Sequence, residues 1–259
     1  MSDLLGIITL SDKRKKLLLF LADGQKTWDE IKITLHVTAT GILPQIKILE
    51  DEKLIIREGK QFSLTEIGSL IVRLLKPFDQ TLGVLEQERK FWDEHHIYAL
   101  PDEFLPRLGE LGEVRIIECS VEDSFEPHTQ FIESLRQAKK IKGISPIVHP
   151  IYPSLFLNLT KEQKEVSLIL TKTAFDKIKK EFYDMLMEGL KLPNADLYIF
   201  DGDIRFAHIV TDHHLSISFF LNNGLFDSKK DLVSVSKSAL QFGEDLFTYY
   251  KERSSKIVL

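Results

Sequence analysis

The chain has 259 residues, 43% of them hydrophobic and 28% charged, a composition that suits a globular protein long enough for two domains with separate cores. No apolar run approaches the about 20 residues that a membrane-spanning helix needs, which argues against a membrane protein. The formal net charge of −5 departs from the basic balance of many dedicated DNA binders, and a single cysteine, Cys119, excludes an intramolecular disulfide or a cysteine-based zinc cluster and fits a reducing compartment.

The opening MSDLLGIITLSDKRKK has an early acid, a short apolar run and no small-residue cleavage site, so a cytoplasmic protein is expected. From Asp12 to Gly24 an amphipathic helix is predicted: Leu17, Leu18, Phe20 and Leu21 face inward, Lys13 to Lys16 stay in water, and Gly24 supplies the stop. Thr27 and Glu30 have the spacing of a capping box, and Trp28, Ile31 and Leu35 return on one face, which predicts a second helix. Thr38 or Thr40 can cap a third, whose inward face is Ile42, Ile46 and Leu49. Its outward residues, Thr40, Gly41, Pro44, Gln45 and Lys47, are small or polar, as a helix entering the major groove requires. Gln can pair bidentately with adenine, and Lys can reach guanine or phosphate. Pro44 is comfortable only in a first turn, so this helix is expected to start late or bend.

Ile55 and Ile56 then read as a short strand, Arg57 to Lys60 as a turn, and Gln61 to Leu64 as the returning strand. The series is that of a winged helix-turn-helix, with Arg57 and Lys60 at a basic wing tip suited to phosphate or minor groove. Candidate DNA-binding residues are therefore Thr38, Thr40, Gly41, Pro44, Gln45, Lys47, Arg57 and Lys60. Residues 1–76 hold 12 Lys and Arg against 10 Asp and Glu, a net +2, and the remainder is at −7. The acidity lies outside this unit, and so modest a charge predicts weak nonspecific binding that leans on a dimer, on the Lys13 to Lys16 cluster and on low salt.

Pro77 marks an expected break before a linker helix at 77–94. There Phe78, Leu82, Leu85, Arg89 and Trp92 recur at three- and four-residue steps. The stripe fits either a dimer contact or a domain core, and the two-fold operators common to helix-turn-helix proteins favour the dimer.

The stretches KLLLFLADGQKTWDEI, TATGILPQIKILEDEKLI and GKQFSLTEIGSLI resemble archaeal winged-helix transcriptional regulators of the methanogenesis and filament regulator type. So do FWDEHHIYALPDEFLPRLGEL, ISPIVHP and ALQFGEDLFTYYKERS further on, so the resemblance spans nearly the whole chain. It implies a two-domain, cytoplasmic, dimeric transcription factor whose second domain, 95–259, senses an effector or mediates assembly. It names no effector.

Within that second domain, strands are predicted at Val114 to Cys119, Gly143 to Val148, Val166 to Thr171, Ala195 to Asp201, Ile204 to Thr211 and His214 to Leu221. Helices are predicted at Pro127 to Lys140, in a polar stretch ending near Glu165, and from Thr173 to Leu190. Turns at Asp201-Gly202-Asp203 and Asp212-His213 are of hairpin type. The fold class is thus α+β: a winged helix-turn-helix, a linker helix, and an α/β domain with a mixed sheet. The element order resembles the phospholipase D-like half-fold.

That chemistry needs a His-x-Lys pair, and no histidine here has lysine two residues on. Nor is there a phosphate-cradling Gly loop, a nucleophile elbow or a zinc-binding His-Glu-x-x-His. No enzyme activity, cofactor or metal is assigned. His95-His96 and Asp212-His213-His214 carry metal-ligating groups, but neighbours on a strand point to opposite faces. Cys119 reads as a small core residue. The effector-pocket candidate is His149, Tyr152, Arg205, His208 and His214, where loops between strands and the facing sheet converge. The expected partners are an operator duplex, a second copy of the chain and an unidentified effector. The alternative is a winged-helix protein-interaction module, and an enzyme with an unrecognised site comes third.

Overall fold

The computed structural model describes residues 3–118 and 129–258, which form two compact units dividing between Asp79 and Gln80. The first contains α1 (Leu4–Thr9), α2 (Asp12–Leu21), β1 (Lys26–Thr27), α3 (Trp28–Thr34), α4 (Ala39–Asp51), β2 (Ile55–Glu58), β3 (Gln61–Leu64) and the start of α5 (Glu66–Gln87). Side-chain caps start α2, α3 and α4, as the Asp3 carboxylate does for α1. The Ser11 hydroxyl accepts from the Arg14 amide at 3.4 Å and the Thr38 hydroxyl from that of Gly41 at 3.3 Å. Thr27 and Glu30 close a full capping box. Each cap satisfies an amide that the first helical turn leaves without a backbone partner.

Leu17, Leu18, Ile31, Ile42, Leu49 and Leu54 are fully buried in one core, each contributing about 1.5–3 kcal/mol relative to exposure. The wing is three-stranded, in the order β1-β3-β2. Glu58 pairs with Gln61, so only Gly59 and Lys60 remain to turn the chain, and Gly59 does so at φ +62°, where a side chain would be strained.

Two prolines lie inside helices. α4 starts at the Thr38 cap and runs through Pro44, so it does not start late. α5 runs through Pro77 without a break. In each case the ring leaves a carbonyl four residues back without its helical donor. Those carbonyls belong to Thr40 and Arg73, both exposed residues, so water can take the place of the missing amide.

The second unit adds α6 (Arg89–Glu94), short 3-10 turns at Ile97–Ala99 and Leu105–Leu111, β4 (Arg115–Glu118), α7 (Thr129–Gln137), β5 (Lys140–Ser145) and α8 (Tyr152–Lys161). It continues with β6 (Glu165–Thr171), α9 (Lys172–Glu181), α10 (Tyr183–Leu190), β7 (Ala195–Phe200), β8 (Phe206–Thr211) and β9 (Leu215–Phe219). β10 (Lys230–Ser234), α11 (Lys237–Lys251) and β11 (Ser254–Lys256) complete it. The strands form one mixed sheet in the order β11-β7-β6-β5-β8-β9-β10-β4, with β5, β6 and β7 parallel and the other pairings antiparallel. α11 covers one face, burying Phe242, Leu246 and Phe247 against Val210, Leu215 and Ile217. Helices α7 to α10 pack on the other.

The sequence-predicted elements shift in three places. The second strand ends at Ser145 because Pro146 has no amide to donate to a ladder. The long helix divides at Phe182 (φ −134°, ψ 36°) into α9 and α10. The Asp201-Gly202-Asp203 turn is no hairpin, since β7 and β8 are separated by β6 and β5, whereas Asp212-His213 does join the paired strands β8 and β9. Cys119 and the expected helix start at Pro127 lie outside the described residues.

Candidate functional site

The outer face of α4 and the tip of the wing form the first candidate site. Thr38, Thr40, Leu43, Pro44 and Lys47 are exposed along the helix, and Gly41 is half-buried beside the Thr38 cap. Arg57 and Lys60 are exposed at the wing tip. The Arg57 guanidinium donates to the Gly59 carbonyl at 3.1 Å and lies 5.5 Å from the Phe62 ring centroid, so the turn itself steadies this cation.

Gln45 sits differently. It is half-buried, and its side-chain carbonyl accepts from Arg14 at 2.8 Å and from the Ser11 hydroxyl at 3.2 Å. Bidentate pairing with adenine would break both bonds, so Gln45 braces α4 against α2. The Lys13 to Lys16 cluster is also largely engaged within the fold. Lys13 donates to the Gly41 carbonyl at 3.4 Å, Arg14 holds Gln45 and the Ile7 carbonyl, Lys15 pairs with Asp79 at 2.6 Å and Lys16 with Asp12 at 2.8 Å. The Lys16 ammonium holds the Asp12 carboxyl below its ordinary range.

The linker stripe divides. Trp92 is buried and Leu85 partly buried in the core of the second unit, whereas Phe78 and Leu82 are exposed. Arg89 is exposed in the short α6. The exposed apolar face instead continues upstream through Leu74, Leu70 and Ile67, and these five side chains are between 41% and 70% exposed.

A cavity of about 220 Å³ opens on the sheet face opposite α11. It exists because adjacent strands place small residues there. Gly143 faces Leu168 and Ile209 so closely that a Cβ would stand 2.8 Å from the Ile209 Cδ1 atom, and Ala207 pairs with Ser218. Phe156, Leu168 and Leu186 wall it, and His149 and Tyr152 stand at its edge with ring centroids 5.2 Å apart.

Of the remaining expected pocket residues, His208 is among those that line the cavity, but alternation along β8 sets its ring on the α11 side with Phe206 and Val210, near the Gly243 backbone. There burial pushes its pKa down to about 3, against a smaller opposing effect of the Gly243 backbone. Arg205 is exposed and pairs with Asp203 at 2.8 Å. His214 sits in the β8–β9 turn, where burial lowers its pKa. Neither Arg205 nor His214 lines the cavity. The polar floor residues Ser216, Ser218 and Asp231 were not anticipated, because only strand register brings them together. Among the described residues no cluster of three His, Cys, Asp or Glu could hold a metal ion, and no helix is long and apolar enough to cross a membrane.

These features define a winged helix-turn-helix protein with a second, mixed α/β unit. Residues 2–82 match the N-terminal domain and residues 124–253 the middle domain of the methanogenesis regulatory protein FilR1, and the chain belongs to that family. It is 25% identical over 255 residues to the methanogenesis regulatory protein FilR1 of Methanothrix harundinacea (strain 6Ac), covering 97% of this chain but 57% of that protein.

Among solved structures it is similar to TrmBL2, an archaeal chromatin protein described as having a novel mode of DNA binding (12% identity, TM-score 0.44, 95% of this chain and 94% of that one). It is also similar to Nuc of Salmonella typhimurium, a phospholipase D family member (12% identity, TM-score 0.39, 57% of this chain and 99% of that one).

Proposed function

We propose that the chain is a DNA-binding transcriptional regulator that acts as a homodimer in the cytoplasm, with no catalytic activity of its own. α4 enters the major groove, the wing tip touches the backbone, and the second unit senses an effector. The observation that carries this reading is the slim, exposed face of α4, with Thr40, Pro44 and Lys47, in the same unit as the basic Gly59–Lys60 turn. Family membership supports regulation. Leu43 and Pro44 suit thymine methyl groups, and Lys47 suits guanine or phosphate. The apolar face of α5 supports dimerisation, since two copies would cover Leu70, Leu74 and Phe78 and present two recognition helices to a two-fold operator. An effector switches such a dimer only if it binds one arrangement of the two helices more tightly than the other.

The test is binding of the purified chain to fragments from upstream of its own gene, at two salt concentrations, beside unrelated DNA. Binding that survives unrelated competitor and weakens with salt supports the proposal. Unchanged low-salt affinity in both Lys47→Ala and Arg57→Ala would remove these residues from the interface. The second reading, a protein-interaction module, is favoured by the net charge of −5 and by the exposed Ile33 and Leu43. No DNA binding at low salt by a folded dimer would select it.

A further inference from the structure

We propose that the cavity of the second unit binds a compact aromatic molecule of about nine non-hydrogen atoms, whose one polar group donates a hydrogen bond and carries no negative charge. The size follows from volume: a cavity of ~150 Å³ takes benzene, so about 220 Å³ scales to about nine atoms. The aromatic preference follows from the wall, where Phe131, Tyr152 and Phe156 form a chain of ring contacts with centroids 6.2 and 5.9 Å apart. Rings so placed favour an edge-to-face or offset partner.

The polar preference follows from charge. Among the described lining residues there is no lysine or arginine, and the charged side chains are Asp196 and Asp231. Asp196 pairs with Lys256 at 2.6 Å, and Asp231 accepts from the Ser218 hydroxyl. A carboxylate entering this space would lose its water and meet no lysine or arginine, a cost that disfavours acids. A hydroxyl or amine meets acceptor oxygens on Ser216, Ser218 and Asp231 at one end, while its ring replaces water against Leu168 and Leu186. That the occupant is the regulatory effector rests on the regulator reading; that it binds does not, and binding is read on the protein without DNA.

The experiment titrates the full chain with 2-phenylethanol and with phenylacetate, following side-chain methyl and aromatic NMR signals. 2-Phenylethanol is expected to shift cavity residues with a Kd below about 1 mM, and phenylacetate to bind at least about tenfold more weakly. Ala207→Leu, which places a larger side chain in the same space, is expected to weaken 2-phenylethanol at least about tenfold while the chain still unfolds cooperatively. Ser218→Ala, a smaller change, is expected to weaken the alcohol without filling the cavity. Equal binding of the acid, an Ala207→Leu affinity equal to that of the unaltered chain, or no binding of either probe to the folded chain would each overturn the proposal. DNA binding without ligand binding would leave the regulator reading standing and this one refuted.

Discussion

Replacing His208 by leucine should remove much of the acid sensitivity of the second unit. The imidazole is 1% exposed on the α11 side of the sheet, and desolvation holds its pKa near 3, against about 6.5 in an unfolded chain. A depressed histidine favours the folded state fully above about pH 6.5 and progressively less as pH falls towards 3, because the unfolded chain takes up a proton that the folded one refuses. Each pKa unit corresponds to about 1.36 kcal/mol, so the fall from pH 7.5 to 4.5 should cost this one residue about 2.6 kcal/mol of stability. His214, whose pKa burial also lowers, adds a residual slope of the same sign. Urea unfolding of the unaltered chain and of His208→Leu, followed by the fluorescence of Trp92 at several pH values, gives the two curves. Between pH 7.5 and 4.5 the difference between them should move by about 2.6 kcal/mol in favour of His208→Leu. Parallel curves over the window would show that His208 titrates normally, and the burial argument would be wrong.

Other outcomes can be checked with less effort. Thr27→Ala, which removes the hydroxyl that caps α3, should cost about 1 kcal/mol in the unfolding of the first unit, read as a lower thermal midpoint. Lys47→Ala should weaken DNA binding and lower the salt dependence by about one phosphate contact if the ammonium meets backbone, or relax sequence preference if it meets a base. Leu74→Glu, on the exposed face of α5, should convert a dimer to a monomer in sedimentation without loss of helix content. An unchanged oligomeric state would exclude that face as the dimer contact.

The winged helix was legible because its core is written in local periodicity. Ile42, Ile46 and Leu49 recur at helical spacing and are all buried, and the Thr27–Glu30 box is a contact over three residues. Gln45 could not be read the same way, since the partners of its carbonyl, Ser11 and Arg14, lie more than thirty positions earlier. Turn residues at Asp201–Asp203 signal a reversal but not which strand is met next, hence the mistaken hairpin. Pro77 signalled a break that an exposed helix face made unnecessary. The cavity was least legible of all. Its floor is a product of register among β5, β8 and β9, and strand alternation turns His208, which drew attention in the sequence, to the opposite face. The short strands β10 and β11 escaped notice too, the edge strand Ser254–Lys256 having no apolar alternation to mark it.

That alternation gives the sheet two separate vocabularies. Along β8 and β9, Phe206, His208, Val210, Leu215, Ile217 and Phe219 answer to α11 and to the stability of the unit, while Ala207, Ser216 and Ser218 answer to the cavity. Mutations can therefore accumulate on one side with little consequence for the other. A lineage can change the shape of the cavity, one small residue at a time, without passing through an unfolded ancestor, and the same separation lets an engineer redraw it while leaving the packing of α11 alone.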